Sequence, residues 1–208
     1  MVNYRKIRAA ISIGDPNGVG IEIILKSFSK EEVLEKTIPI VFGSHDLMIN
    51  QARDLSQDTS LLHLISDINN AKEKKINILN IFDSCEYKFG VLDKSIAEFG
   101  ILSFTSATNA VKNQEADVLI TSPINKNAAY SSEFKFSGQT DYLSSLFNVE
   151  ALMLMVSEDL KIALTTDHIP LKEVHNALNT DLIKRKIVYA KIFNYFIFFI
   201  IKLFLCFF

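Results

Sequence analysis

Four stretches of this chain set residues able to handle an anion, a metal or a proton where a strand ends or a helix begins. The first is "GDPNGVG", Gly14 to Gly20, between an apolar run and a helical repeat, where backbone amides and a helix N-terminus could meet an anion. Its spacing is neither GxGxxG nor GxxxxGK followed by Ser or Thr, and a tight turn that only reverses the chain fits it at least as well. The second is "TSPINKNA", in which Pro123 directs the chain out of a strand and Lys126 falls near the start of a helix. Ligands of open α/β sheets gather beyond the carboxyl ends of strands, so Lys126 is placed to face a phosphate or carboxylate; a solvated surface lysine is the plain alternative. The third is "FSGQTDYL", where the amide of Gln139, the hydroxyl of Thr140 and free helix amides suit a phosphorylated or hydroxylated ligand. Thr140 could equally be an N-cap residue that needs no ligand. The fourth is "LTTDHIPL", with His168 after a predicted strand and before Pro170. An imidazole there can ligate a metal or move a proton, although a lone histidine is more often structural. His45, His63 and His175 fall at a helix start, in a strand and on a polar helix face, and none is assigned chemistry.

These residues can act together only if the elements between them bring them to one edge of a sheet. "AAISIG" reads as a strand, followed after the Gly/Pro/Asn turn by a helix with Ile21, Ile24, Leu25 and Phe28 at helical spacing. "IPIVFG" is the next strand, and Ser44 is the expected N-cap of "HDLMINQARDL". "LLHLI" and "INILNIF" add two strands. From Ser95 an amphipathic helix is predicted with Ile96, Phe99, Leu102, Ala107, Ala110 and Val111 on its apolar side, leading into the strand "DVLITSP". The strands "ALMLMV" and "KIALTT" and a helix "PLKEVHNAL" follow. Strands alternating with helices predict an α/β fold, a mainly parallel sheet with helices on both faces. The expected organisation is a first α/β lobe over 1–125, the start of a second, substrate- and metal-binding lobe over 126–186, and an aberrant hydrophobic tail over 187–208.

Composition removes several function classes. With 208 residues, 49% of them hydrophobic and 22% charged, the chain can bury a substantial core. A formal charge of −2 provides no basic face for nucleic acid. Cys85 and Cys206 are the only cysteines and lack ligand spacing, which fits a reducing cytoplasm rather than a disulfide framework or a structural zinc site. The N-terminal apolar stretch is too short for a secretory signal.

In order along the chain, "ISIGDPNGVGIEI", "DVLITSPINK", "FSGQTDYL" and "TTDHIPLKEV" are similar to the sequence blocks of the 4-hydroxythreonine-4-phosphate dehydrogenase family of pyridoxine biosynthesis, over about Arg8 to Lys186. The resemblance implies the two-lobed isocitrate/isopropylmalate dehydrogenase type of fold, with a cleft completed across a homodimer. It implies NAD or NADP and a divalent metal (zinc, cobalt or magnesium) as cofactors. The implied reaction oxidises the 3-hydroxyl of 4-phosphooxy-L-threonine to a ketone, which decarboxylates to 3-amino-2-oxopropyl phosphate. Residue by residue, it implies His168 as a ligand of the divalent cation and Lys126 near the substrate. It also places Gln139 and Thr140 where the family has a substrate-binding His-Thr pair. Gln139 keeps hydrogen-bonding capacity but cannot carry a positive charge toward a phosphate. A small phosphorylated amino-acid substrate is implied, with no nucleic-acid partner and no membrane association. The two further metal histidines, other substrate residues and most of the nicotinamide surface lie, in that family, beyond the point where the resemblance stops.

The ending "IFNYFIFFIIKLFLCFF" is nearly all Phe, Ile, Leu, Lys, Asn and Tyr. It is shorter than the roughly 20 apolar residues of a membrane span and is interrupted by Asn194 and Lys202. Those residue types share AT-rich codons, so a frameshifted or prematurely ended gene, and hence an inactive or impaired enzyme, is the expectation. A tail anchor flanked by Lys184, Arg185, Lys186 and Lys191, an unusual core helix, and a non-catalytic phosphate-binding or dimerising fragment are the alternatives.

Overall fold

The computed structural model describes residues 5–125, 136, 138–157, 159–166 and 169–196. It divides into two compact units, Met1–Leu143 and Ser144–Phe208.

The first unit is built on a five-stranded sheet ordered β3-β4-β2-β1-β5, every pair of which is parallel. Its strands are β1 (Ile7–Ser12), β2 (Thr37–Gly43), β3 (Leu62–Ile65), β4 (Ile76–Asn80) and β5 (Val118–Thr121). Ala9, Ala10, Ile11 and Ser12 of β1 are all fully buried. Successive strand residues point to opposite faces, so both faces of the sheet are covered, as the apolar runs predict. Each fully buried Ile or Phe contributes roughly 1.5–3 kcal/mol relative to leaving it in water. Pro39 interrupts the ladder donors of the central strand β2. The buried Asn77 of β4 donates from Nδ2 to the Pro39 carbonyl at 3.1 Å and accepts at Oδ1 from the Lys72 amide at 2.8 Å.

Helix α1 (Gly20–Phe28) buries Ile21, Ile24, Leu25 and Phe28, the stripe its spacing predicts. A short α2 (Glu31–Lys36) precedes β2. Helix α3 (His45–Asp54) starts at Ser44, whose hydroxyl accepts from the Leu47 amide at 3.2 Å, the expected cap. Helix α4 (Lys94–Lys112) starts one residue before its predicted position because Asp93 caps it, its carboxylate accepting from the Ser95 and Ile96 amides. One expectation for α4 is corrected: Leu102 is 42% exposed. The buried face runs instead through Ala97, Gly100, Ser103, Phe104, Ala107, Thr108 and Ala110. Small side chains let α4 lie close to the sheet, and two hydroxyls on that face find buried acceptors, Ser103 in the Phe42 carbonyl and Thr108 in the Phe104 carbonyl.

Helix α5 (Gln139–Phe147) carries the third stretch. In the second unit, β6 (Leu154–Val156) and β7 (Lys161–Ala163) form a separate antiparallel pair of three residues each rather than further parallel strands. "PLKEVHNAL" makes only a 3-10 turn, Leu171–Glu173, and the short α6 (Val174–Ala177). The long α7 (Thr180–Phe196) follows. Glu150 meets Lys186 at 3.0 Å and Arg185 at 3.5 Å. None of this unit's residues with described side chains is buried. Among the described residues no helix is long and apolar enough to cross a membrane; 197–208 lie outside them.

Candidate functional site

The sheet order sets β5 beside β1 although most of the unit separates them in sequence, so the turn after β1 and the segment after β5 meet at the carboxyl edge of the sheet. The approach is close enough to dictate residue type. Gly14 has φ +72°, and a Cβ there would stand 2.4 Å from the Pro123 carbonyl oxygen; at Gly20 it would stand 2.0 Å from the Ile13 carbonyl oxygen. The Asp15 amide donates to the Pro123 carbonyl at 3.0 Å, fastening the two segments together.

Within Gly14–Gly20 two amides have acceptors inside the segment. Beyond the Asp15 bond, the Asn17 amide donates to Asp15 Oδ1 at 2.9 Å and the Gly18 amide to the Asp15 carbonyl at 2.9 Å. The geometry is that of a tight structural turn, the second of the two readings open to its sequence. Gln51, buried in α3, donates from Nε2 to the Pro16 carbonyl at 2.7 Å. Neither Gln51 nor Asn17 is marked by the sequence, since a polar residue in an amphipathic helix and an Asn in a turn are commonplace. Ser103 is missed for the same reason; only the small-residue spacing of Gly100 and Ser103 hints at it.

Gln139 and Thr140 lie at the start of α5. The Tyr142 amide donates to the Gly138 carbonyl at 3.3 Å, so Gly138 takes the cap position and Thr140 stands inside the first turn. The N-cap alternative for Thr140 is thereby corrected: a glycine one position before the helix can adopt the cap geometry. Gln139 is half-buried and donates from Nε2 to the Ser122 carbonyl at 3.4 Å, tying the helix start to the end of β5. Tyr142 holds the helix from another side, its ring centroid 5.2 Å from that of the buried Phe104 and 5.1 Å from that of Phe136. Thr140 is exposed. The first-turn amides of α5 have no intrahelical acceptor, which favours negative charge beside Thr140.

Lys126 and His168 lie outside the described residues. Among the described residues no group of three or more His, Cys, Asp or Glu could hold a metal ion. His63 is held below the ordinary imidazole value by burial, with Lys72, Lys75 and His45 adding repulsion. Burial, reinforced by the Asp15 charge, pushes the Cys85 thiol up to about 11. That makes it a poor nucleophile at neutral pH. Tyr87 is pushed up to about 12 by burial and by its 2.5 Å hydrogen bond to Asp54.

Residues 35–193 match the family described as pyridoxal phosphate biosynthetic protein PdxA. The 4-hydroxythreonine-4-phosphate dehydrogenase of Bacteroides thetaiotaomicron is 32% identical over 188 residues, covering 88% of this chain and 51% of that relative. The enzyme of that name from Campylobacter fetus subsp. fetus is 35% identical over 167 residues, covering 80% of this chain and 50% of its own. The chain thus spans about half the length of the curated relatives it matches. A crystal structure of a 4-hydroxythreonine-4-phosphate dehydrogenase from Burkholderia phymatum superimposes with a TM-score of 0.78 at 23% identity, over 90% of this chain and 58% of that one. At that identity the likeness concerns the fold, and the fold is the mainly parallel α/β architecture expected from the sequence.

Proposed function

The chain belongs to the pyridoxal phosphate biosynthetic protein PdxA family, and from that premise we propose that its residues serve the oxidation of 4-phosphooxy-L-threonine at the 3-hydroxyl, with NAD or NADP as oxidant and a divalent cation. Decarboxylation of the product to 3-amino-2-oxopropyl phosphate completes the reaction. One observation carries this reading: Gln139 is hydrogen-bonded to the Ser122 carbonyl at the carboxyl end of β5, with the exposed Thr140 next to it in the first turn of α5. A hydroxyl, a neutral amide and helix amides form a pole for a phosphate or substrate hydroxyl. Thr140 and Gln139 hold the substrate, Lys126 joins them, and His168 is one ligand of the cation. A homodimer in the cytoplasm belongs to the same reading, as do lobes over 1–125 and 126–186.

Among the described residues there is no group of three or more ligands for a cation, His168 lies outside them, and the Asp15, Asn17 and Gly18 amides of the turn already have protein acceptors. The neutral Gln139, where the family's pattern has a histidine, favours an impaired activity and keeps a second reading open, a protein that binds the phosphorylated ligand without turning it over.

Titration calorimetry of the 208-residue chain with 4-phosphooxy-L-threonine tests the binding reading. Saturable heat that weakens in Thr140→Ala is expected; no heat at millimolar ligand overturns both readings. Adding NAD or NADP with zinc, cobalt or magnesium is expected to give reduction of the nicotinamide far below an ordinary enzyme rate, and brisk reduction would overturn the impairment.

A further inference from the structure

Asn17 joins the turn after β1 to the 81–93 connection. Its Oδ1 accepts from the Lys88 amide at 2.7 Å, its Nδ2 donates to the Val91 carbonyl at 2.9 Å, and its main-chain carbonyl accepts from the Gly90 amide at 2.8 Å. The irregular connection over 81–93 is thus clasped by a residue that is only 4% exposed. On its other side, the Asn17 amide bonds to Asp15 Oδ1, the Asp15 amide to the Pro123 carbonyl, and Gln139 to the adjoining Ser122 carbonyl. Hydrogen bonds joined through the covalent chain of Asp15 and of Ser122–Pro123 therefore link the 81–93 connection to the start of α5.

We propose that Asn17 is a positioning residue that couples the 81–93 connection to the end of β5, where α5 presents Gln139 and Thr140. The residue type suits the task. A carboxamide offers a donor and an acceptor from one planar group, so it can hold both the Lys88 amide and the Val91 carbonyl, which neither a carboxylate nor a methyl can do. Elsewhere the connection is tethered by Ser44, which donates to the Asp83 carbonyl, and by Tyr87, which donates to Asp54. Asn17 is the tether that also belongs to the turn after β1.

Hydrogen exchange of the full chain carrying Asn17→Ala tests the coupling. The Gly90 amide bonds to the main-chain carbonyl of Asn17, which the substitution leaves in place, so its faster exchange reports displacement of the connection rather than a deleted acceptor. We expect exchange at Gly90 and at the Asp15 amide to quicken by about tenfold, with the β2 amides of Ile40 to Phe42 unchanged. Asn17→Asp, which retains the acceptor for Lys88, is expected to fall between. Acceleration confined to Lys88 overturns the coupling, and equal acceleration in β2 shows a general loosening and overturns it too. A ligand arm rests on the reading of Gln139 and Thr140 as substrate contacts: Asn17→Ala is expected to weaken 4-phosphooxy-L-threonine binding by about fivefold. If the unsubstituted chain does not bind that ligand, the functional reading fails while the exchange result still decides the coupling.

Discussion

The Ser103 hydroxyl accepts a hydrogen bond from the Ile13 amide at 2.9 Å, joining α4 to a point 90 positions earlier in the chain. The pairing of β1 with both neighbours ends at Ser12, so the Ile13 amide is the first that the ladder leaves without a partner. The same hydroxyl donates to the Phe42 carbonyl of β2. A single buried side chain therefore closes the carboxyl ends of two strands just before the Gly14–Gly20 turn begins.

Ser103→Ala is expected to lower the free energy of unfolding by roughly 1–3 kcal/mol, because it strands a buried donor and removes a donor from a buried carbonyl. Urea denaturation measures this. A loss below about 0.5 kcal/mol, the ordinary range for an exposed position, would show that the Ile13 amide finds another partner.

Gly20→Ala is expected to cost roughly 2 kcal/mol or more, since the new methyl would lie 2.0 Å from a backbone oxygen that cannot move aside without moving β1. Gly18→Ala, whose nearest atom would be the Asp15 carbonyl oxygen at 3.2 Å, is expected to cost less. Thermal denaturation of the two variants ranks them, and equal losses would refute the close-packing account.

Gln139→His would place a titratable group where the family's pattern has one. A histidine with an ordinary value near 6.5 gains positive charge as pH falls, so affinity for 4-phosphooxy-L-threonine should rise from about pH 8 to about pH 6 relative to the Gln139 chain. Calorimetry at the two pH values provides the comparison. A ratio that does not change with pH means that the position does not face the phosphate.

Cys85 is expected to alkylate more slowly than a free thiol at pH 8, with its rate climbing as pH approaches about 11, where its thiolate forms. Asp15→Asn should shift that climb to lower pH by removing the repelling charge, although burial, the larger cause, remains. Iodoacetamide labelling followed on the peptide that carries Cys85 reads both effects, and rapid labelling at pH 8 would contradict the half-buried setting.

Much of the fold is legible in the sequence. Ile21, Ile24, Leu25 and Phe28 recur at a spacing that only a helix can turn to one side, and they are the residues α1 buries. Ser44 precedes its helix with a side chain suited to orphan amides, and it caps α3. The apolar runs of β1 and β2 demand cover on both faces and receive it. Leu102 misled because apolarity does not say which of two adjacent stripes on α4 meets the sheet; small residues and Ser103 won the buried side. The β6 and β7 segments were legible as strands but not as an antiparallel pair, because strand direction depends on how the connection between them folds.

By itself, then, the sequence determined the local elements and the family, since both rest on residue types at short spacing: apolar periodicity, caps, turn glycines and four ordered blocks. Only the tertiary structure decided that β5 lies beside β1, that the Asp15 amide finds its acceptor in Pro123, and that Gln139 reaches Ser122. It alone gave Asn17 and Ser103 their partners. Those outcomes depend on buried hydrogen bonds between segments far apart in the chain, and a lone Asn, Ser or Gln carries no sign of the distant amide or carbonyl that will need it.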